Sequence, residues 1–316
     1  MTPLGVVLLS GAALGVAAPL VLGRLRRLEH APQATAYLWL AATAGALVAL
    51  VLAGLLLVLP SGKVALDLAA LLRTCSMALR DALDAGGGPP GPLLGLALLA
   101  LVPAGLLAGV VVAGTRAWRT ARRQRELLAV AGRRRPDLPG VTVLDHPTPL
   151  AYCLPGRPGP VVLTTAALQR LAPGQLAAVL AHERAHQARR HHRLLLAAEV
   201  LRVGFPWLPA ARAGRAAVAH LVELAADDAA VHRHGRAETV AALATLAAAP
   251  AAPVGLSAGG PGAPDRIRRL SAPPPTGRAA TLLLAILVVA VPLAAELAAV
   301  TAPMVSVAGT PICPLA

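Results

Sequence analysis

The run His182-Glu183-Arg184-Ala185-His186 decides how this sequence is read. It sits in an alanine- and leucine-rich stretch that opens at Pro173, a residue suited to the first turn of a helix because its missing N–H costs nothing there. An α-helix turns about 100° and rises about 1.5 Å per residue, so side chains four apart lie about 6 Å apart on nearly the same face. Both imidazoles therefore reach one point, with Glu183 beside them. Two neutral ring nitrogens and a neighbouring carboxylate are what a hydrolytic zinc site requires: ligands for the metal and a base for a water. Such a site needs a third protein ligand. Downstream, Glu223-Leu224-Ala225-Ala226-Asp227 repeats the i, i+4 spacing with two acids in a helical run. One carboxylate can bind the metal while the other holds the free ring nitrogen of a ligand histidine, which fixes its tautomer. His220, one turn before Glu223, is an alternative third ligand.

The composition around this motif is that of a membrane protein. Hydrophobic residues make up 56% and charged residues 14%, where a soluble domain carries about 25% charged. The excess lies in four blocks: residues 4–22, 37–59, 93–114 and 279–300. Each is long enough to cross a hydrocarbon core of about 30 Å. The first block has its arginines after the apolar run, not before it, so it is expected to stay as a span and not to be cleaved as a signal peptide.

Basic residues accumulate on the cytoplasmic side of spanning helices. Arg24, Arg26 and Arg27 follow the first block, the arginines from Arg116 to Arg135 follow the third, and Arg266, Arg268, Arg269 and Arg278 precede the fourth. The stretch between the second and third blocks balances Lys63, Arg73 and Arg80 against Asp67, Asp81 and Asp84, and residues 301–316 carry no charge. The pattern predicts both termini outside and the HExxH segment in the cytoplasm, in a multi-pass protein of the cell membrane. Net charge is +14, but without interleaved aromatics or a recognisable module it does not point to direct nucleic-acid binding. The arginine block beside the third span is expected to meet anionic lipid head groups of the bilayer. The near absence of ionisable residues inside the spans argues against a transporter.

Along the chain this gives a membrane region, 1–115, with three spans, a cytosolic catalytic domain, 116–278, the fourth span, 279–300, and a short external tail, 301–316. Val64 to Ala85 has helical spacing and is expected on the outer membrane surface. Within the domain, Val141–Leu144, Leu150–Leu154 and Val161–Thr165 read as short strands of a small sheet, followed by helices. The strand Val161–Thr165, just before the HExxH helix, is a candidate for pairing with an extended substrate. Leu194 to Ala211 is apolar but carries Glu199, Arg202, Pro206 and Pro209. A single crossing there would put Glu223 across the bilayer from His182, so this segment must pack on the domain or dip into the membrane and return. Ala249–Pro264 reads as a loop. The cysteines Cys75, Cys153 and Cys313 show no paired spacing; Cys153 is expected to be a reduced, buried small residue.

HExxH followed some 35 residues later by ExxAD, among membrane spans, resembles the membrane metalloproteases of the gluzincin type. Two related families share it: the HtpX and CAAX-prenyl-protease group, and the BlaR/MecR-type antirepressor proteases. Leu180-Ala181-His182-Glu183-Arg184-Ala185-His186 and Glu223-Leu224-Ala225-Ala226-Asp227 are similar to the BlaR/MecR-type motifs. Phe205-Pro206-Trp207-Leu208-Pro209 resembles that family's aromatic-proline turn, and Arg266-Ile267-Arg268-Arg269-Leu270 the RIxxL element both families carry. The resemblance implies His182, His186 and Glu223 as ligands of Zn2+, Glu183 as the catalytic general base, and Asp227 as the support behind a ligand histidine. Two features depart from it. The HtpX group's His-Pro pair before that arginine is Gly260-Pro261 here, and the 16 residues after the last span leave no penicillin-binding sensor in this sequence.

The expected protein is therefore a polytopic α-helical membrane protein with a mainly helical α+β gluzincin-type metalloprotease domain. It would cleave proteins at the cytoplasmic face in regulatory signalling, a winged-helix transcriptional repressor being the substrate the resemblance implies. The alternatives are an HtpX-like quality-control protease and a non-catalytic membrane sensor or scaffold. Among the other histidines, His191 and His192 adjoin Arg189, Arg190 and Arg193 and are expected to be solvated. His232 and His234 are candidates for stabilising an oxyanion, and His146 for a structural role in a loop.

Overall fold

The computed structural model describes residues 2–58, 77, 90–156, 159–248, 262–272 and 278–308. The expected surface helix Val64–Ala85 apart from Met77, Cys75, the Gly260-Pro261 pair, most of the loop Ala249–Pro264 and the end of the tail with Cys313 lie outside the described residues. Among those described, four helical stretches are long and apolar enough to cross a membrane.

The first is built from α1 (Pro3–Ala12), a π-helical turn at Ala13–Ala17 and α2 (Ala18–Arg24). Pro19 brings no N–H and crowds the preceding turn, and the widened π-turn just before it absorbs that clash. A 3-10 turn, Arg26–His30, leads to the second, α3 (Pro32–Val58). The third, α4 (Pro90–Ala131), runs unbroken for 42 residues from the apolar block into the arginine-rich stretch. It thus crosses the expected domain border at 115/116 as a single rod.

Four short strands follow: β1 (Gly132–Arg134), β2 (Val141–Leu144), β3 (Ala151–Cys153) and β4 (Val161–Thr164). Their order in the sheet is β1-β2-β4-β3, with β2 and β4 parallel and both outer pairs antiparallel. The sequence marks three of them. Gly132-Arg133-Arg134 has little β-propensity of its own, and only pairing with Thr142–Leu144 draws it into the sheet. β4 lies inside the sheet, hydrogen-bonded to β2 on one side and β3 on the other. It therefore has no free backbone edge, and the expected pairing of Val161–Thr165 with a substrate is ruled out. Within this sheet β3 is the edge strand on that side.

The helices that follow are α5 (Thr165–Arg170), α6 (Pro173–Ala188), α7 (His191–Gly204), α8 (Pro209–His234), α9 (Arg236–Ala247) and α10 (Ala263–Ser271). The fourth apolar helix, α11 (Arg278–Ala308), ends the described chain, eight residues past the expected end of that span at 300. The domain core joins Val141, Val143, Val161 and Leu163 of the sheet to Ala178, Val179 and Leu180 of α6 and to Leu246 of α9.

α7 and α8 form a hairpin whose corner, Phe205 to Leu208, answers the question posed by Leu194–Ala211. Phe205, Leu208, Ala210 and Ala211 share one apolar cluster with Leu14, Ala46, Val102 and Val289. Each of those four partners belongs to a different apolar helix, and Val102 lies near the middle of the apolar block 93–114 of its helix. The segment enters the helical bundle and returns, which keeps Glu223 on the same side as His182. Small residues make this possible. A Cβ on Gly109 would collide with the Val200 carbonyl, and one on Gly105 would sit 2.7 Å from the Phe205 ring. Midway along the hairpin, Glu199 accepts from Arg202 at 2.6 and 2.9 Å and from Arg215 at 3.2 Å, so its charge is neutralised locally.

Candidate metal centre

α6 starts at Pro173, and the Ala172 N–H donates to Gln175 Oε1 at 3.2 Å to close its first turn. Its buried face runs through Ala178, Val179, His182, Glu183 and His186. This face packs on α8, whose own buried stripe carries Leu221, Leu224, Ala225 and Asp227. The alanines let the two helices approach closely enough for short carboxylates on one to meet imidazoles on the other.

His182 Nε2 and His186 Nε2 stand 3.1 Å apart, and the Glu223 carboxylate oxygens lie 3.6 Å from each. One donor atom from each of the three residues falls within 4.8 Å of the others. Both Glu223 oxygens are buried without a well-directed hydrogen bond; the histidine contacts at 3.6 Å are too long to count as such, and the Arg266 guanidinium lies 3.1 Å from Oε2 as an ion pair. A buried carboxylate with no well-directed hydrogen bond is costly, and the two facing ring nitrogens, 3.1 Å apart, need a proton or a cation between them. A cation at their meeting point satisfies all three groups at once. Two imidazoles and one carboxylate form a donor set that suits zinc and leaves a fourth position open.

Behind this cluster, His182 Nδ1 meets Asp227 Oδ1 at 3.0 Å. Arg266 of α10, itself 2% exposed, grips Asp227 through Nε at 2.7 Å and a terminal nitrogen at 2.5 Å. Its other terminal nitrogen lies 3.1 Å from Glu223 Oε2. One guanidinium thus orients both acids of the ExxAD segment, a fork geometry that lysine does not offer. Arg269, on the same short helix, holds Asp228 at 2.8 and 3.0 Å and the Glu29 carbonyl at 2.8 Å, which ties α10 to α8 and to the 3-10 turn.

Burial opposes charge throughout this site, and the pairings decide which groups keep it. At His182 the carboxylates of Asp227 and Glu223 outweigh burial and hold the ring's pKa up at about 10. At His186 burial and the charge of His182 act together and push it down to about 3. Burial would raise Glu223, but His182 and Arg266 bring it down to about 2. Asp227 lies well below the usual carboxylate range because Arg266 and His182 overcome its burial. Glu183 has no such partner: burial carries it up to about 7, with Glu223 adding to the rise and His182 opposing it. The metal-free cluster therefore balances its acids with one proton on His182, in the place a metal ion would take.

Glu183 is 2% exposed, and Cys153 on the edge strand β3 feels its charge, which adds to burial in raising the thiol's pKa. Cys153 is free and half-buried. A cavity of about 390 Å³ reaches the site at His186. It runs between β3, the arginine-bearing part of α4 and the hairpin, down to Ala113, Leu195 and Glu199.

Residues 116–273 match the family model of Peptidase family M48, which is half of the chain. The chain belongs to peptidase family M48. No curated protein and no solved structure matches it. The M48 match makes the segment from the second half of α4 to α10 a metallopeptidase domain and contains every residue of the cluster described above.

Within the M48 domain the structure also redistributes the lesser candidates. His220 is 40% exposed and its nearest acid is Glu29 at 3.9 Å, so it faces the 3-10 turn and is no third ligand. His232 and His234 are exposed in the last turn of α8, about 14–16 Å along the helix from Glu223, and play no part at the centre. His146 accepts from the Thr148 N–H at 3.1 Å, a loop contact. His191 is the largest departure from expectation. It is fully buried, not solvated, and its Nδ1 lies 2.9 Å from His186 Nδ1. Sequence spacing hides this, because residues five apart in one helix point about 140° from each other. Arg190 adopts a left-handed conformation (φ 54°) and breaks the helix between them, which turns His191 back onto His186. The contacts of Arg266 were foreshadowed only by its place in the RIxxL element.

Proposed function

We propose that this M48 peptidase is an integral-membrane zinc endopeptidase, with His182, His186 and Glu223 holding the metal and Glu183 as general base. The observation that carries this is the meeting of two ring nitrogens and a buried carboxylate, all within 4.8 Å of one another, beside a buried glutamate. Zinc in such a ligand set lowers the pKa of a water molecule and polarises a peptide carbonyl. The chain supplies the rest. Asp227 holds the Nδ1 hydrogen of His182, so its Nε2 faces the cluster with a lone pair. Glu183 accepts the proton of the attacking water at its carboxylate and returns it to the leaving amine. Burial, which raises its pKa, helps it to hold the proton between the two transfers. The outer edge of β3, the end strand of the sheet among the described residues, would offer backbone groups to an extended polypeptide.

The four apolar helices would cross the cell membrane with both termini outside and the catalytic residues at the cytoplasmic face, as the arginine distribution implies. In that arrangement the corner Phe205–Leu208 reaches mid-bilayer. α7, with 14 residues, then carries His191 about 20 Å back, just beyond a half-core of about 15 Å. The substrate we favour is a cytoplasmic protein in a regulatory pathway, such as a winged-helix repressor. A second reading, a quality-control protease for membrane proteins, is favoured by the cavity that leads from His186 to Ala113 of the third apolar helix. A scaffold that had lost catalysis would have no chemical use for Glu183.

The deciding experiment measures zinc and peptidase activity of the purified protein and of Glu183→Gln. We expect about one zinc in both, and activity lowered roughly 10²–10⁴-fold in the variant. A variant that still cleaves normally would sink the mechanism, and a wild type that takes no zinc would favour the scaffold. Proteins that accumulate in a Glu183→Gln strain then separate the two substrate readings, soluble against membrane-embedded.

A further inference from the structure

We propose that His191 is a positioning residue for the metal ligand His186, and that Gln33, in the first turn of the apolar helix α3, sets His191 in turn. The inference rests on the reading of His186 as a ligand, and it follows from counting hydrogens. His191 Nε2 lies 3.1 Å from Gln33 Oε1. An amide oxygen only accepts, so His191 Nε2 carries the hydrogen. A neutral imidazole has one such hydrogen, which leaves His191 Nδ1 a bare acceptor. Its partner at 2.9 Å is His186 Nδ1, which must then donate. With its one hydrogen placed there, His186 presents a lone pair at Nε2, toward His182 Nε2 and Glu223. That is the tautomer a metal ligand requires.

Two further observations support it. His191 is fully buried, so no solvent water competes for the bond. The left-handed Arg190, a conformation a non-glycine side chain resists, is what brings His191 to this place. The two ligand histidines are thus held differently. His182 is anchored by an acid and an arginine inside the M48 domain, while His186 is anchored through His191 to a helix outside the matched segment. A displacement of α3 reaches the metal through two hydrogen bonds.

The test uses the full-length protein in lipid nanodiscs and measures zinc affinity by competition with a chromogenic chelator, with the visible spectrum of the cobalt(II) form as a second readout. His191→Leu is expected to lose about 10–100-fold in affinity and to shift the cobalt bands. His191→Asn, whose side-chain oxygen can accept from His186 Nδ1, should return to within about threefold of wild type. Gln33→Leu should lose affinity severalfold in the wild-type background and nothing further in His191→Leu. Binding by His191→Leu equal to wild type overturns the proposal, provided that His186→Ala loses zinc. So does His191→Asn as weak as His191→Leu, or a Gln33→Leu effect of equal size in both backgrounds. If His191→Leu does not fold, an unchanged Gln33→Leu overturns it instead. A wild type without zinc, or His186→Ala binding as wild type does, overturns the metal-site reading and this inference with it.

Discussion

The two ends of α7 are built on opposite principles. At its start, His191 lies in a chain of directional bonds that joins Gln33, His186 and the facing cluster. At its end, Gly204 and Phe205 sit among apolar side chains from the long helices, where closeness is achieved by having almost no side chain at all. One end is positioned by hydrogen-bond direction and the other by shape. The lesson is a division of labour: the glycine contacts of Gly105 and Gly109 set where the hairpin sits, and the polar end then orients individual atoms.

The largest effect on stability is expected from Arg266→Met. It leaves two buried acids, Asp227 and Glu223, with only the His182 proton to balance them, so unfolding free energy should fall by about 3–5 kcal/mol. Chemical denaturation of the metal-free protein checks this; a loss below about 1 kcal/mol would mean that the arginine is not what neutralises the pair. Gly109→Ala tests the other end. Its Cβ meets the Val200 backbone, which has little room to yield, and we expect a cost of about 1–3 kcal/mol. Zinc affinity of the folded fraction should stay near wild type, because the hydrogen-bonded end is untouched. Equal damage to metal affinity would show that the two ends are not separable.

The smallest effect per step is the pH dependence of metal binding. The pKa of His182 is raised, to about 10, so below that pH the metal-free site holds a proton that zinc must expel. Affinity should therefore rise about tenfold per pH unit between about pH 7 and 10 and level off above. Chelator competition across that range, corrected for the chelator's own protonation, measures it. A flat profile would mean that His182 binds no proton to displace.

Much of this molecule was legible in advance because its signals are local. Four apolar blocks, the last interrupted by Pro292 and Glu296, predict helices long enough to cross a membrane, and four such helices are present among the described residues, with α11 running past Pro303 to Ala308. His182 with His186, and Glu223 with Asp227, are i, i+4 pairs whose shared faces depend only on helical pitch. What stayed hidden depends on parts of the chain far apart. β1 exists only through its partner strand, and β4 proved to be interior because β3 crosses to its far side. Arg266 acts from 39 residues beyond Asp227, and Gln33 from 158 residues before His191.

From the sequence alone, then, come the helices, their apolarity and the two residue pairs that define the centre. All of these follow from the fixed geometry of one helix and the length of hydrocarbon it can cross. Only the tertiary structure shows which face of α6 meets α8, that one arginine serves both acids, and that a left-handed residue turns His191 inward. Those features rest on close packing and on hydrogen-bond direction between distant segments, and neither is written in the spacing of any single one.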